Sequence, residues 1–167
     1  MPRLRKIGLE DVIGRLPEIQ PLAASSELKP EALFVCALGF EQRCLSVPKK
    51  LASVGYRAEQ ARYLRYATNQ EDNETNLEPL EGLLNNVARS VEPVEADADD
   101  FGNAFRSILA NLPHESGGNP SRVTLDISVM SNRLVMRCMK ALLETDVILR
   151  VTYAEAEVYH PTYEGRV

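Results

Sequence analysis

Residues 32–38 form an almost unbroken apolar run, Ala-Leu-Phe-Val-Cys-Ala-Leu, and residues 123–127 form a second, interrupted only by Thr124 and Asp126. Runs this short and this apolar suit strands covered on both faces, as in a parallel sheet. Between them the apolar residues change period. Cys44, Val47, Leu51 and Val54 recur at three and four residues, and so do Leu77, Leu80, Leu84 and Val87. Phe101, Phe105, Ile108 and Leu112 repeat the pattern, which is that of amphipathic helices. Residues 60–67, 90–95 and 147–153 complete a set of five strands. Strict alternation of this kind predicts an α/β fold, a Rossmann-like or flavodoxin-like three-layer sandwich on a mainly parallel five-stranded sheet. Its crossovers should be right-handed. The strand order stays open at this level.

Punctuation refines the reading. Pro48 falls inside the first helical pattern, where it either kinks the helix or marks its first turn with Ser46 as N-cap. Gly55 closes that helix. Pro79 sits near the start of the second helix, and Asp99 or Asp100 can cap the third. Arginines within residues 60–67 place that strand nearer the sheet edge. The helix from Leu134 to about Leu143 is apolar nearly all round, which predicts burial under the sheet or in a partner. Residues 1–30 read as a lead-in with a short amphipathic helix (Leu9, Val12, Ile13, Leu16) ended by Pro17. Residues 31–167 read as the domain itself. No clear helix follows the fifth strand, so the expectation is a domain belonging to a longer protein.

The chain's 167 residues suit one domain with a real core. A net charge of −5 argues against a protein that coats duplex DNA. No apolar run approaches the ~20 residues of a membrane span, and the basic start, Met1-Pro2-Arg3-Leu4-Arg5-Lys6, precedes no signal-peptide core. Cys36, Cys44 and Cys138 lie in or beside apolar segments without zinc-site spacing, and fit reduced thiols of a cytoplasmic protein. His114 and His160 have no ligand spacing, so no metal site is expected, and no motif calls for a cofactor.

In an open α/β sheet, ligands bind at the carboxyl ends of the strands, where helices begin. Two polar turns fall there. The first, Gly39-Phe40-Glu41-Gln42-Arg43, pairs a turn-forming glycine with a carboxylate at the positive end of a helix and a guanidinium able to meet an anion. A plain surface Glu–Arg pair is the alternative. The second, Asp126-Ile127-Ser128-Val129-Met130-Ser131-Asn132-Arg133, brings two hydroxyls, an amide and a guanidinium suited to phosphate or ribose. Its structural alternative is a Ser/Asn cap on the following helix, with Asp126 tied to nearby backbone amides. Asn69 can line the same edge or serve as a cap. Glu155 and Glu157, with Tyr153 and Tyr159, share one face of an extended tail. A glutamate pair such as Glu41 and Glu157 can cleave a glycosidic bond; a solvated acidic edge is the plainer reading.

The second turn, with its aspartate, spaced hydroxyls and buried helix behind, resembles the fourth-strand motif of CARF domains, Rossmann-like sensors of cyclic oligoadenylates in prokaryotic immunity. Val129 and Met130 stand where that family commonly has glycines, and Asn132 where it has lysine, with Arg133 adjoining. The resemblance implies a homodimer with a nucleotide or cyclic oligonucleotide across the two-fold, and an effector domain or partner protein elsewhere. The ligand contacts expected are Gly39, Glu41, Arg43, Asn69, Asp126, Ser128, Ser131, Asn132, Arg133 and Glu155. Two other classes stay open: an enzyme of N-glycosidic bonds in a nucleotide or NAD, using Glu41 or Glu157, and a structural interaction module.

Overall fold

The computed structural model describes residues 21–22, 29–66, 70–96, 100–112 and 119–155. In chain order its elements are β1 (Glu31–Ala37), a 3-10 turn (Gln42–Leu45), α1 (Ser46–Ser53), β2 (Ala58–Tyr66), a single-turn α2 (Gln70–Glu74), α3 (Leu77–Val87), β3 (Ala88–Ala96), α4 (Phe101–Ala110), β4 (Ser121–Asp126), α5 (Asn132–Leu143) and β5 (Val147–Thr152). All four strand pairings are parallel, in the order β3-β2-β1-β4-β5. This is the expected α/β class, with Rossmann-type strand order. The lead-in helix expected within residues 1–30 lies outside the described residues.

Period-two alternation sends β1 side chains to two cores. Leu33, Val35 and Ala37 join Leu64, Val123 and Leu125 under α4 and α5; Phe34, Cys36 and Leu38 join Ala61 and Tyr63 under α1 and α3. Every residue of β1 is buried, as befits the middle strand of a three-layer sandwich. The strand bearing the arginines lies one in from the edge. Arg62 pairs with Glu92, and Arg65 pairs with Glu95 at 3.2 Å, both across to edge strand β3. Pro93 is tolerated in β3 because an edge strand can spare a donor.

The helix ends explain the prolines. Pro48 and Pro79 each occupy the third position of their helix, where no intrahelical N–H bond is lost. Ser46 is not the cap that the sequence suggests. The 3-10 turn runs straight into α1, so Leu45 takes the N-cap position and Ser46 is already helical. Gly55, with φ of 72°, ends α1 in a Schellman turn: its N–H donates to Ala52 O at 3.2 Å, and the Tyr56 N–H to Leu51 O at 3.0 Å. Asp100 takes the N-cap position of α4 without a side-chain capping bond.

Helix α5 is only partly covered by the sheet, one of the two burials expected for it. It is not buried all round. Leu134, Cys138, Ala141 and Leu142 face the sheet, while Met136 and Leu143 are 70 % and 83 % exposed. One packed layer suffices for the α4/α5 core, and the apolar residues beyond its contact stripe are left on the outside.

At the opposite end of β1, Glu31 is buried and fully engaged. Its carboxylate accepts from Tyr56 Oη at 2.9 Å, from the Thr124 hydroxyl and from Arg150 of β5. The Tyr56 hydroxyl is held well above the usual phenol range by burial and by Glu31. This network joins β1, β4, β5 and the approach to β2 with every partner charged or polar.

Candidate functional site

The strand order reverses direction between β1 and β4. The chain leaves β1 towards β2 and β3 on one side, and leaves β4 towards β5 on the other. The loops after β1 and β4 diverge to opposite faces from that point, which is where doubly wound sheets take ligands. Both polar turns of the sequence meet there.

The turn after β1 is built to stay still. Asn76, buried at the start of α3, donates its side-chain N–H groups to Gly39 O at 2.8 Å and Phe40 O at 3.0 Å. The Cys44 thiol approaches Gly39 O at 3.5 Å. Gly39 is needed for space rather than for unusual backbone angles: a Cβ there would lie 3.2 Å from Cβ and Cγ2 of Val129 in the opposite turn. Phe40, next along, is 69 % exposed. Glu41 and Arg43 form an ion pair with Nε to Oε2 at 2.6 Å.

The turn after β4 is equally constrained. Asp126 Oδ1 accepts the Ser128 N–H at 3.1 Å and the Ser128 hydroxyl, and Ser128 Oγ accepts the Ala154 N–H at 2.8 Å. The end of β5 is thereby tied to the turn, reinforced by the Ile127 N–H to Thr152 O at 2.9 Å. Ser131 caps α5, accepting the Leu134 N–H at 3.3 Å. The structural roles weighed for Asp126 and Ser131 are thus both in place, at the ligand edge of the sheet.

Alternation along β4 turns Asp126 away from Leu125 and towards the α1/α3 layer, the layer of Cys36 and Arg43. Burial pushes its carboxyl up to about 6, against the pull of the Ser128 hydrogen bonds and the Arg43 charge. Thr152, its register partner on β5, has a buried hydroxyl with no hydrogen-bond partner among the described residues. Burial and the Asp126 charge also raise the Cys36 and Cys44 thiols, so Cys44, despite adjoining Arg43, is a core residue and not an activated nucleophile.

The structure therefore brings Gly39, Glu41, Arg43, Asp126 and Ser128 together at the switch point. Ser131, Asn132 and Arg133 begin α5 on the other layer; Asn132 and Arg133 are exposed, and Arg133 lines an outer groove with Met136, Met139, Lys140 and Leu143. Glu155 is exposed three residues past β5. Asn69 and Glu157 lie outside the described residues. Sequence reasoning missed Asn76, Thr152 and Phe40. An asparagine at a helix start reads as a cap, and only the fold shows it reaching 37 residues back. Among the described residues no three His, Cys, Asp or Glu side chains converge as a metal would require, and no helix is long and apolar enough to cross a membrane. No protein-family model matches the chain, and no curated protein matches it.

Proposed function

We propose that this chain is a nucleotide-sensing domain, with a cyclic oligonucleotide messenger of prokaryotic antiviral defence as the ligand class its sequence resemblance favours. One observation carries the reading: the strand order sets Arg43, Asp126 and Ser128 side by side at the switch point, on two turns held rigid by Asn76 and by the Ser128–Ala154 bond. Arg43 supplies a planar fork for phosphate. Asp126 and Ser128, buried and bonded to each other, brace the turn behind it. Buried reduced thiols fit a cytoplasmic setting. A sensor needs a listener, so an effector domain or partner protein belongs to the proposal. So does a homodimer, supported by the exposed Met136 and Leu143 on α5.

The test is thermal stability against AMP, NAD and cyclic tetra-adenylate. A ligand of the folded state stabilises by roughly 2.7 kcal/mol at a hundredfold excess over Kd. The expected result is a shift in wild type that Arg43→Ala removes without lowering the ligand-free Tm by more than a few degrees. No shift with any probe overturns the sensor and leaves an interaction module in front.

A second reading, cleavage of an N-glycosidic bond in a nucleotide or NAD, draws on Asp126. A carboxyl that titrates near 6 beside Arg43 and Glu41 has the character of a general acid. Release of free base, lost in Asp126→Asn and Glu41→Gln, is the outcome that would favour it over the sensor.

A further inference from the structure

We infer that β5 is the docking edge for β5 of a second copy, the two strands pairing antiparallel about a two-fold axis so that two five-stranded sheets run on as one. The inference rests on the homodimer part of the reading above and needs none of its ligand. The two edges of the sheet differ. Edge strand β3 carries Arg89, Glu92, Pro93 and Glu95, the charges and proline that keep a sheet edge from pairing. Edge strand β5, Val-Ile-Leu-Arg-Val-Thr, has no proline, and its one charge, Arg150, is drawn to the buried Glu31. Among the described residues β5 pairs with β4 alone. Along the edge Ile148, Val151 and Tyr153 are 46 %, 46 % and 52 % exposed. An apolar edge of this kind is a template for another strand.

The sequence of the edge is complementary to itself. A two-fold perpendicular to the sheet sets one residue of β5 opposite its own copy. Centred on Arg150 it would oppose two guanidinium groups, which is destabilising. Centred on Leu149 it would set Arg150 against Ile148 and Asp146 against Thr152. Centred on Ile148 it matches charge with charge. On one face Ile148 meets its copy, and Asp146, exposed just before the strand, meets Arg150 on either side of that pair. On the other face Val147 meets Leu149 and Thr145 meets Val151, all uncharged. Arg150 reaches Glu31 through Nη1 and, with five N–H donors, can serve both carboxylates.

The same axis covers the helix above. Helix α5 links β4 to β5 and shares a core with Val123, Leu125, Val147 and Leu149. Strands lie about 4.8 Å apart, so two copies of α5 so seated would stand about 10 Å apart, the spacing of packed helices. Arg137 and Glu144 mark the flank of α5 towards α4, through Gly102 and through the 2.9 Å bond to Arg106. Val135, Met139 and Leu143, at spacings of four, lie on the other flank, towards the second copy. Edge and helix flank are thus buried by one operation.

The test is cross-linking of the full chain, with its dimer Kd from sedimentation. The three native cysteines are buried, so a new thiol reports its own surroundings. Ile148→Cys, oxidised at a concentration where wild type is dimeric, should run as a disulfide-linked dimer without reductant. Glu92→Cys, on the guarded edge, should stay monomeric on the same gel. Ile148→Lys places two ammonium groups opposite each other and should raise the dimer Kd about tenfold or more, with the Tm of the dilute chain held because Ile148 is exposed. A wild-type dimer whose Kd is unchanged in Ile148→Lys, and in which Ile148→Cys does not cross-link, overturns this inference and leaves the homodimer standing. Wild type that stays monomeric at every concentration, with and without cyclic tetra-adenylate, overturns the homodimer and the inference with it.

Discussion

Gly39 and Val129 meet across the switch point so closely that a single methyl on the glycine would come within 3.2 Å of the valine Cβ and Cγ2. Valine occupies a place where the turn's resemblance leads one to expect glycine, and the missing side chain is found on the facing turn instead. Close approach of the two turns is achieved with the small residue on the β1 side. Gly39→Ala should therefore destabilise by about 1–3 kcal/mol through overpacking. Val129→Ala in the same chain should restore part of the loss. A double-mutant cycle by urea unfolding should give a coupling of about 0.5 kcal/mol or more. Strictly additive effects would mean that the two turns do not pack as described.

Asp126 carries the clearest pH signature. Its folded pKa of about 6 lies above the ordinary 3.8, so the folded state holds this proton more tightly than the unfolded chain does. On this account the contribution of Asp126 to stability is greatest below pH 4, falls as pH rises from about 4 to 6, and stays at its lower level above that. Asp126→Asn keeps an oxygen to accept from Ser128 and removes the buried charge. At pH 7.5 it should be more stable than wild type, by up to about 3 kcal/mol, and the acid-side slope assigned to this group should vanish. Urea midpoints measured from pH 4 to pH 8 read both effects. A variant less stable than wild type at pH 7.5 would show that the charge is better compensated than the geometry implies.

The extent to which the sequence disclosed all this follows from which interactions are local. Strand and helix periods, the proline positions and the Gly55 turn depend on neighbours within a few residues, and the reading from residues 31 to 153 matches the five strands and four longer helices found, missing the single-turn α2 in what reads as a polar loop. Asp126–Ser128 and Ser131–Leu134 are also local, and both were foreseeable as turn and cap. Strand order depends on which strands pair across distances of tens of residues, and no local pattern encodes it. Asn76 on Gly39, Thr152 beside Asp126, and Glu31 with Arg150 are contacts of that long-range kind. Helix α5 is a different case: apolar content predicts burial, but does not say whether the sheet or a partner supplies the second layer.

Glu31 offers a test of the long-range kind. Three donors converge on its buried carboxylate, and removing the acceptor leaves the Tyr56 and Thr124 hydroxyls unsatisfied. Arg150 is half-exposed and can turn to water. Glu31→Ala should cost about 3–5 kcal/mol, whereas Tyr56→Phe, which removes one neutral donor and no charge, should cost about 1 kcal/mol. Denaturant unfolding of the two variants decides it. Equal losses would mean that the carboxylate acts through Tyr56 alone.

The outer face of α5 bears on whether the domain acts as a pair. Met136 and Leu143 are spaced seven residues apart and exposed, with Met139 and Lys140 between them in one groove. Arg133 and Arg137 occupy the first half of the helix, Lys140 falls in its last turn, and Glu144 and Asp146 follow its end. Two copies of α5 laid antiparallel would set Met136 of each against Leu143 of the other and bring the basic start of one helix to the acidic end of its mate. A two-fold interface of this kind is self-complementary in both shape and charge. Association should strengthen when ligand bridges the pair. Light scattering after gel filtration should show a concentration-dependent dimer. Leu143→Glu should shift it to monomer while leaving Tm in the dilute state within a few degrees. A dimer untouched by both Leu143→Glu and Met136→Glu would place the interface on another face, and a monomer at every concentration, with and without cyclic tetra-adenylate, would remove the homodimer from the proposal.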